Sequence, residues 1–305
     1  MKILTSPSSF GQITNKPLDL LTDAGFEVIN NPFGRKLTED EVIYLAKDCV
    51  GIVAGVEPLT ARVMDALPGL KCISRVGIGL DNIDLNHAAR KGIIIKNTPD
   101  GPTRAVAELT LGLTLALIRK VPQAHYDMKN RVWKKRTGNL ILNKVIGVVG
   151  LGRIGKQVSQ LFKSIGARII GYDPFADKDW ALKYGVELMD FETVLKTADI
   201  ITIHVPGDEN NSAVFGAKEM DLIKPGAFLI NISRGGIVDE DVLYASLSTG
   251  KLSGAAIDVF AEEPYVGPLI DLDNVVLTPH LGSYAEEGKL IMEVDAVNNL
   301  INALK

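Results

Sequence analysis

The chain has 305 residues, enough for about two domains. It is 46% hydrophobic and 23% charged, the balance of a globular protein with a substantial core. Its 33 Lys and Arg against 37 Asp and Glu leave a formal charge of −4, which excludes an overall field for nucleic acid or anionic lipid and leaves room only for a local basic pocket.

Taken in order, residues 1–98 alternate strand-like and helix-like pieces. The start, MKILTSPSSF, is too short and polar for a signal peptide, and Lys2–Leu4 predicts a first strand. Pro17–Ala24 predicts a helix closed by Gly25, Glu27–Asn30 a strand, and Glu39–Lys47 a helix behind a Thr38 cap. Gly51–Ala54 predicts a strand, Ala61–Ala66 a helix, Lys71–Ser74 a strand and Ile93–Ile95 a last short strand. This alternation implies a parallel sheet with helices on both faces. Cys49 and Cys72 lie in apolar segments with no metal-ligand spacing, so they read as reduced core thiols of a cytoplasmic protein, and no metal is expected. No glycine triplet precedes the first helix, which makes this half the candidate substrate domain. Within it, Arg75-Val76-Gly77-Ile78-Gly79 follows a strand end. Two readings stay open: exposed N–H groups that hold a small carboxylate, or a turn built on left-handed glycines.

Residues 97–102, Asn-Thr-Pro-Asp-Gly-Pro, are dense in turn formers and read as a linker. A helix of roughly Arg104 to Lys120 follows, stopped before Pro122. It is apolar on nearly all sides, so burial is expected. Its apolar stretch Leu109 to Ile118 is too short to span a bilayer, so no membrane partner is expected. Residues 123–140 carry Trp133-Lys134-Lys135-Arg136, a solvated loop, a dimer arm or part of a pocket for an anionic substrate.

Lys144 to Asp173 organises the chain. Val145, Ile146, Val148 and Val149 read as a buried parallel strand. Gly150, Gly152 and Gly155 follow as G-x-G-x-x-G, then a helix from Arg153 to about Ile165 and a strand, Ile169–Tyr172, ending at Asp173. Gly150 permits the tight turn, Gly152 lets a pyrophosphate approach the backbone, and Gly155 lets helix and strand pack closely. The helix N-terminus offers N–H groups to phosphate. Asp173, 18 residues after Gly155, suits the ribose hydroxyls and repels a 2′-phosphate, so NAD is expected over NADP.

Beyond Asp173 the pattern predicts helices at Phe191–Lys196, Ala217–Leu222 and Asp239–Leu247. Strands are predicted at Ile200–Val205, Ala227–Asn231, Gly254–Val259 and Val275–Leu277, and an amphipathic helix at about Ala285–Leu304. Ligands of doubly wound sheets gather outside the carboxyl ends of strands. Three such ends carry reactive side chains: Arg234, Glu263 and His280. An arginine fork binds a carboxylate and polarises the neighbouring oxygen. An imidazole takes the hydroxyl proton as hydride leaves, and a carboxylate on its other nitrogen fixes the tautomer.

The segments RVGIGLDNID, NTPDGPTRAVAE, GLGRIG, NISRGGIVDE, AAIDVFAEEP and TPHLG, in this order over nearly the whole chain, resemble the NAD-dependent D-2-hydroxyacid dehydrogenases. Among these the resemblance runs to the D-3-phosphoglycerate dehydrogenases. It implies an α/β fold of two doubly wound parallel-sheet domains. A Rossmann NAD domain, 99–280, would be inserted in a flavodoxin-like substrate domain, 1–98 and 281–305. It implies Arg234, Glu263 and His280 as the catalytic set and Asp258 as the holder of the nicotinamide carboxamide. Arg153, Ile154, Asp173, His204, Val205 and Pro206 would line the cofactor, with Ile232, Ser233, Arg234, His280 and Gly282. Arg75, Val76, Gly77 and Arg234 would hold the substrate, Val76 and Gly77 through their N–H groups. It further implies a small-molecule substrate, a homodimer joined through the NAD domains or a higher homo-oligomer, and a step of serine biosynthesis.

Some positions depart from the family pattern. Pro102 stands where an asparagine is common, Gly207-Asp208 where leucine-threonine is, and Ala54-Gly55 where phosphoglycerate enzymes often carry an arginine. Arg75 and Lys134–Arg136 match them. The chain stops at Lys305, so a regulatory C-terminal domain, and serine feedback through it, are not expected. The activity implied is oxidation of D-3-phosphoglycerate or its reverse. The alternatives are the same chemistry on glyoxylate, hydroxypyruvate or another small 2-keto acid and, more remotely, an NAD-sensing binding protein.

Overall fold

The β–α alternation builds two parallel sheets, one in each of two compact units: Met1–Pro102 with Ser283–Lys305, and Thr103–Gly282. The computed structural model describes residues 1–207 and 213–305, so Asp208 lies outside the described residues. The first unit runs β1 (Lys2–Thr5), α1 (Lys16–Asp23), β2 (Glu27–Asn30), α2 (Glu39–Ala46), β3 (Cys49–Ala54), α3 (Ala61–Ala66), β4 (Cys72–Arg75), α4 (Leu85–Lys91) and β5 (Ile94–Lys96). Its sheet has the order β2-β1-β3-β4-β5, parallel throughout. This is the flavodoxin-like winding, whose switch point lies between β1 and β3. Alternating strand residues fill two cores. Ile3, Val53 and Cys72 pack with Leu21 of α1 and with Val297 and Leu300 of the C-terminal helix. Leu4, Ile52 and Ile73 pack with Val42, Val63 and Ala88 of the helices on the other face.

The chain continues through α5 (Asp100–Ile118), α6 (Val121–Lys129), β6 (Val145–Val149), α7 (Arg153–Ser164), β7 (Arg168–Tyr172), α8 (Lys178–Tyr184), β8 (Glu187–Leu188), α9 (Phe191–Thr197) and β9 (Ile200–Ile203). It ends with α10 (Ala217–Leu222), β10 (Ala227–Asn231), α11 (Glu240–Ser248), β11 (Leu252–Ile257), β12 (Val275–Leu277) and α12 (Glu286–Leu304). The second sheet, β12-β11-β10-β9-β6-β7-β8, is also parallel, and its winding reverses at β6 and β9. One core joins Ile170, Ile201 and Leu229 to Leu195, Met220 and Leu243. The other joins Ile146, Val148 and Ile230 to Val106, Leu113, Val158 and Phe162. Helix starts follow side-chain chemistry. Thr38 and Glu41 form a capping box, and Asp84, Asp177, Asp190 and Asp239 each accept a first-turn N–H, worth about 1 kcal/mol apiece.

Several elements differ from the sequence reading. α5 starts at Asp100 rather than Arg104, because a proline is tolerated in a first turn, so Pro102 opens the helix instead of ending a linker. Pro122, expected only to stop the preceding helix, likewise sits in the first turn of α6, which takes in the start of the 123–140 segment. α5 is not buried all round: Arg104, Glu108, Gly112 and Leu115 form an exposed stripe. α4 and α8 were not foreseen, although Asp84 with Gly92 and Asp177 with Gly185 mark their ends. β9 stops at Ile203, two residues before the expected end, and β11 lies two residues earlier than expected.

Candidate active site

At the switch point of the second sheet, Gly150 turns with φ 94°, its N–H donating to the Tyr172 carbonyl at 2.8 Å. A Cβ on Gly155 would fall 1.9 Å from the Gly150 carbonyl oxygen, so this glycine lets α7 rest on the turn. A Cβ on Gly152, the N-cap of α7, would meet nothing within 4 Å, which leaves open space before the helix N-terminus. Asp173, at the end of β7, accepts from Leu151 N–H through Oδ2 and from Phe175 N–H through Oδ1, both at 2.8 Å. It braces the glycine turn from the position suited to a ribose. Turn, open helix start and carboxylate fit the phosphates and ribose of a dinucleotide. His204 follows β9, its ring 2.9 Å from the Thr202 hydroxyl. Burial of the ring pushes its pKa down to about 3, so it stays neutral. Val205 is half-buried and Pro206 exposed beyond it.

The loops after β10, β11 and β12 carry Arg234, Glu263 and His280, and the last two meet in a hydrogen bond. Buried Asn231 clamps the first turn: its Oδ1 accepts from Ser233 N–H (3.1 Å) and Oγ (2.7 Å), and its Nδ2 donates to the Arg234 carbonyl at 3.1 Å. Ile232 is buried beneath this turn, and the Arg234 guanidinium donates to the Ser233 carbonyl at 2.8 Å. A Cβ on Gly235 would fall 1.8 Å from the Phe260 carbonyl oxygen, so the loops after β10 and β11 touch backbone to backbone. Glu263 also accepts from Phe260 N–H at 3.1 Å. His280 Nδ1 lies 3.0 Å from Glu263 Oε2 and 3.1 Å from Oε1. A carboxylate only accepts, so Nδ1 carries the proton and Nε2 is the basic nitrogen. The His280 and Glu263 side chains are 49% and 39% exposed, open enough to meet a ligand.

Asp258 has a structural task of its own. It is fully buried, and its Oδ1 accepts from the Thr278 hydroxyl (2.6 Å) and Leu281 N–H (2.7 Å). Its Oδ2 accepts from Gly282 N–H at 2.8 Å, and its carbonyl from His280 N–H at 2.8 Å. Three donors from the loop after β12 bind the carboxylate, which ties down the segment carrying His280. Burial raises its pKa, and these bonds oppose the rise. Asn231 and Thr278 were missed by sequence reasoning. Polar residues at strand ends carry no periodic signal, and their partners lie on neighbouring strands.

The first unit also corrects an expectation. β4 runs to Arg75, one residue beyond its expected end, and Val76 N–H still pairs with the Ala54 carbonyl at 2.9 Å. Gly77 N–H donates to the Thr98 hydroxyl at 2.7 Å. Both N–H groups are spent inside the protein, so Val76 and Gly77 are not open donors to a carboxylate. Among the described residues, the next amides, of Ile78 and Gly79, have no recorded acceptor. The Arg75 guanidinium lies against Gly77 and donates to the Val76 carbonyl. In the basic stretch, Arg136 forms a two-pronged pair with nearly buried Asp127 (2.6 and 3.0 Å), pinning the segment to α6.

Residues 111–282 match the family model for the D-isomer specific 2-hydroxyacid dehydrogenase NAD-binding domain. The chain is 44% identical over 258 residues to the D-3-phosphoglycerate dehydrogenase of Methanocaldococcus jannaschii, covering 83% of this chain and 49% of that one. It is 36% identical to the D-3-phosphoglycerate dehydrogenase of Archaeoglobus fulgidus, covering 100% of this chain and 58% of that one. The chain thus spans about half the length of the curated relatives it matches. Among solved structures, the TT0316 protein of Thermus thermophilus superposes with a TM-score of 0.89 at 32% identity, covering 100% of this chain and 97% of that one. Among the described residues, no helix is long and apolar enough to cross a membrane.

Proposed function

The chain belongs to the D-isomer specific 2-hydroxyacid dehydrogenases, and on that premise we propose that it oxidises a D-2-hydroxy acid, or reduces the 2-keto acid, with NAD. The observation that carries this reading is the His280–Glu263 contact at 3.0 Å, in the same unit as the Gly150–Gly155 turn. Bound NAD supplies the hydride acceptor, or the donor in reverse. His280 Nε2 takes the hydroxyl proton in oxidation and returns it in reduction. Glu263 holds Nδ1–H and stabilises the imidazolium that forms. Arg234 binds the substrate carboxylate and polarises the adjoining oxygen. Gly150, Gly152, Arg153, Ile154 and Gly155 cradle the pyrophosphate, and Asp173 takes the ribose. His204 to Pro206, Ile232, Ser233 and Gly282 wall the cofactor. Arg75 and the amides of Ile78 and Gly79 serve the substrate acid.

D-3-Phosphoglycerate is the first substrate to test, because the relatives named above act under that name. A compact unphosphorylated 2-keto acid, glyoxylate or hydroxypyruvate, is the second reading. It is favoured by the end of β3, where Ala54 and Gly55 lead to buried Glu57 rather than to a cation. NADH oxidation with phosphohydroxypyruvate, hydroxypyruvate, glyoxylate, pyruvate and 2-oxoglutarate decides between them. No turnover of any of the five would sink the enzyme reading. We place the protein in the cytoplasm, since Cys49 and Cys72 are buried free thiols pushed up to about 11. A homodimer is supported by exposed Val121, Tyr126, Met128, Trp133, Leu140 and Leu142 on and beyond α6. Sedimentation at the monomer mass would overturn it.

A further inference from the structure

Among the residues left without a role above, buried Glu57 stands out by its place in the fold. It follows the end of β3 in the first unit, where doubly wound sheets hold their ligands. Both its oxygens lie 3.1 Å from Gly55 N–H, and the Ser6 hydroxyl, just past β1, donates to Oε1. Asn82 Nδ2 closes the turn by donating to the Glu57 carbonyl at 2.6 Å. Glycine at 55 lets the carboxylate close on the turn, since a Cβ there would sit 2.9 Å from Glu57 Oε2. A buried carboxyl is an expensive filler where an aliphatic side chain would serve the core better. Burial raises its pKa, while Ser6, Gly55 and the field of Arg75 pull it back.

We infer that Glu57 is a positioning residue for the substrate acid, acting through the Ala54–Gly55 peptide. The inference rests on the substrate reading of the loop after β4. Gly55 N–H and the Ala54 carbonyl are two ends of one rigid peptide plane. Glu57 and the Ser6 hydroxyl that it fixes hold the N–H end, and the carbonyl end accepts from Val76 N–H at 2.9 Å. Gripping one end therefore orients the other. The residues after Val76, up to the amides of Ile78 and Gly79, hang from that bond. Without the carboxylate the N–H end keeps only the Ser6 hydroxyl oxygen at 3.0 Å, itself no longer held by Oε1, and the anchor of the loop loosens.

The test compares full-length wild type, Glu57→Ala and Glu57→Gln by amide exchange and by steady-state kinetics with NADH. In Glu57→Ala, protection at Val76 should fall ~10-fold, the size set by losing a charge-assisted hydrogen bond. KM for the best keto acid of the panel should rise ~10-fold, with kcat and the KM for NADH within about twofold. Glu57→Gln keeps an oxygen for Gly55 N–H and should recover most of both. If Glu57→Ala does not fold, Glu57→Asp, too short to reach that N–H, takes its place. Unchanged exchange at Val76, a fall in kcat that matches the rise in KM, or failure of Glu57→Gln to rescue would overturn the inference. Absence of turnover in wild type would overturn the enzyme reading instead, and the exchange result alone would then decide the role of Glu57.

Discussion

In the second unit the strand β6 runs into Gly150 and the open N-terminus of α7. In the first unit β1 runs into Ser6, whose N–H donates to the Val53 carbonyl and whose hydroxyl donates to Glu57. Both sheets are parallel and doubly wound, and both carry a buried carboxylate at the carboxyl edge: Asp258 in one, Glu57 in the other. The difference lies in what the backbone there has left to offer. Around Gly152 there is space and a helix start. Around Val76 and Gly77 the amides are already bonded to Ala54 and Thr98. A shared architecture therefore says where ligands gather, while the local use of N–H groups says which of them can bind.

The sharpest way to break this comparison is to fill both turns. Gly155→Ala puts a Cβ 1.9 Å from a backbone oxygen that cannot move aside, whereas Gly55→Ala puts one 2.9 Å from a side-chain oxygen. We expect Gly155→Ala to lower Tm by ~10 °C or more and to abolish NADH fluorescence enhancement. Gly55→Ala should cost clearly less and leave NADH binding intact, and calorimetry showing the reverse order would refute the contrast. Next in size, His280→Ala should reduce kcat by ~10²–10⁴-fold with NADH affinity kept, which titration by fluorescence checks. Smaller still, Asp173→Ala should raise the NADPH-to-NADH ratio of kcat/KM by ~10-fold. It should also weaken NADH binding, because Leu151 and Phe175 lose their acceptor.

The smallest effect concerns pH. His204 is held neutral in the folded protein, at about 3, while the unfolded chain titrates near its ordinary value of about 6.5. The folded pKa is the lower one, so its contribution is complete above about 6.5 and is lost as pH falls towards 3. Below the upper limit the unfolded chain takes up a proton that the native chain refuses. Melting temperature should thus fall from pH 7 to pH 4 more steeply in wild type than in His204→Gln, and parallel curves would exclude this cause. Glu57 has the opposite sign. Its folded pKa is raised, so its stabilising share is present at acid pH and lost as pH rises through the folded value. Glu57→Gln should therefore gain on wild type in Tm as pH goes up.

Much of this was legible in the residues. The alternation of short β-branched runs with capped helices identified both sheets, and most strands fell within two residues of their expected ends. Helix starts were harder. Pro102 and Pro122 look like breakers along the chain, yet the first turn of a helix tolerates proline, so both open a helix. The order of motifs also singled out Arg234, Glu263 and His280, and the structure pairs the last two, 17 residues apart in the chain.

By itself the sequence determined the α/β class and the dinucleotide turn at Gly150–Gly155, because these depend on local spacing and residue type. The tertiary structure alone decided which groups were free to act. Val76 and Gly77 lost their amides to Ala54 and Thr98, and Asp258 was engaged by Thr278, Leu281 and Gly282. Each of those partners stands about twenty residues away along the chain, and a hydrogen-bonding group has only as much capacity as its neighbours in space leave it.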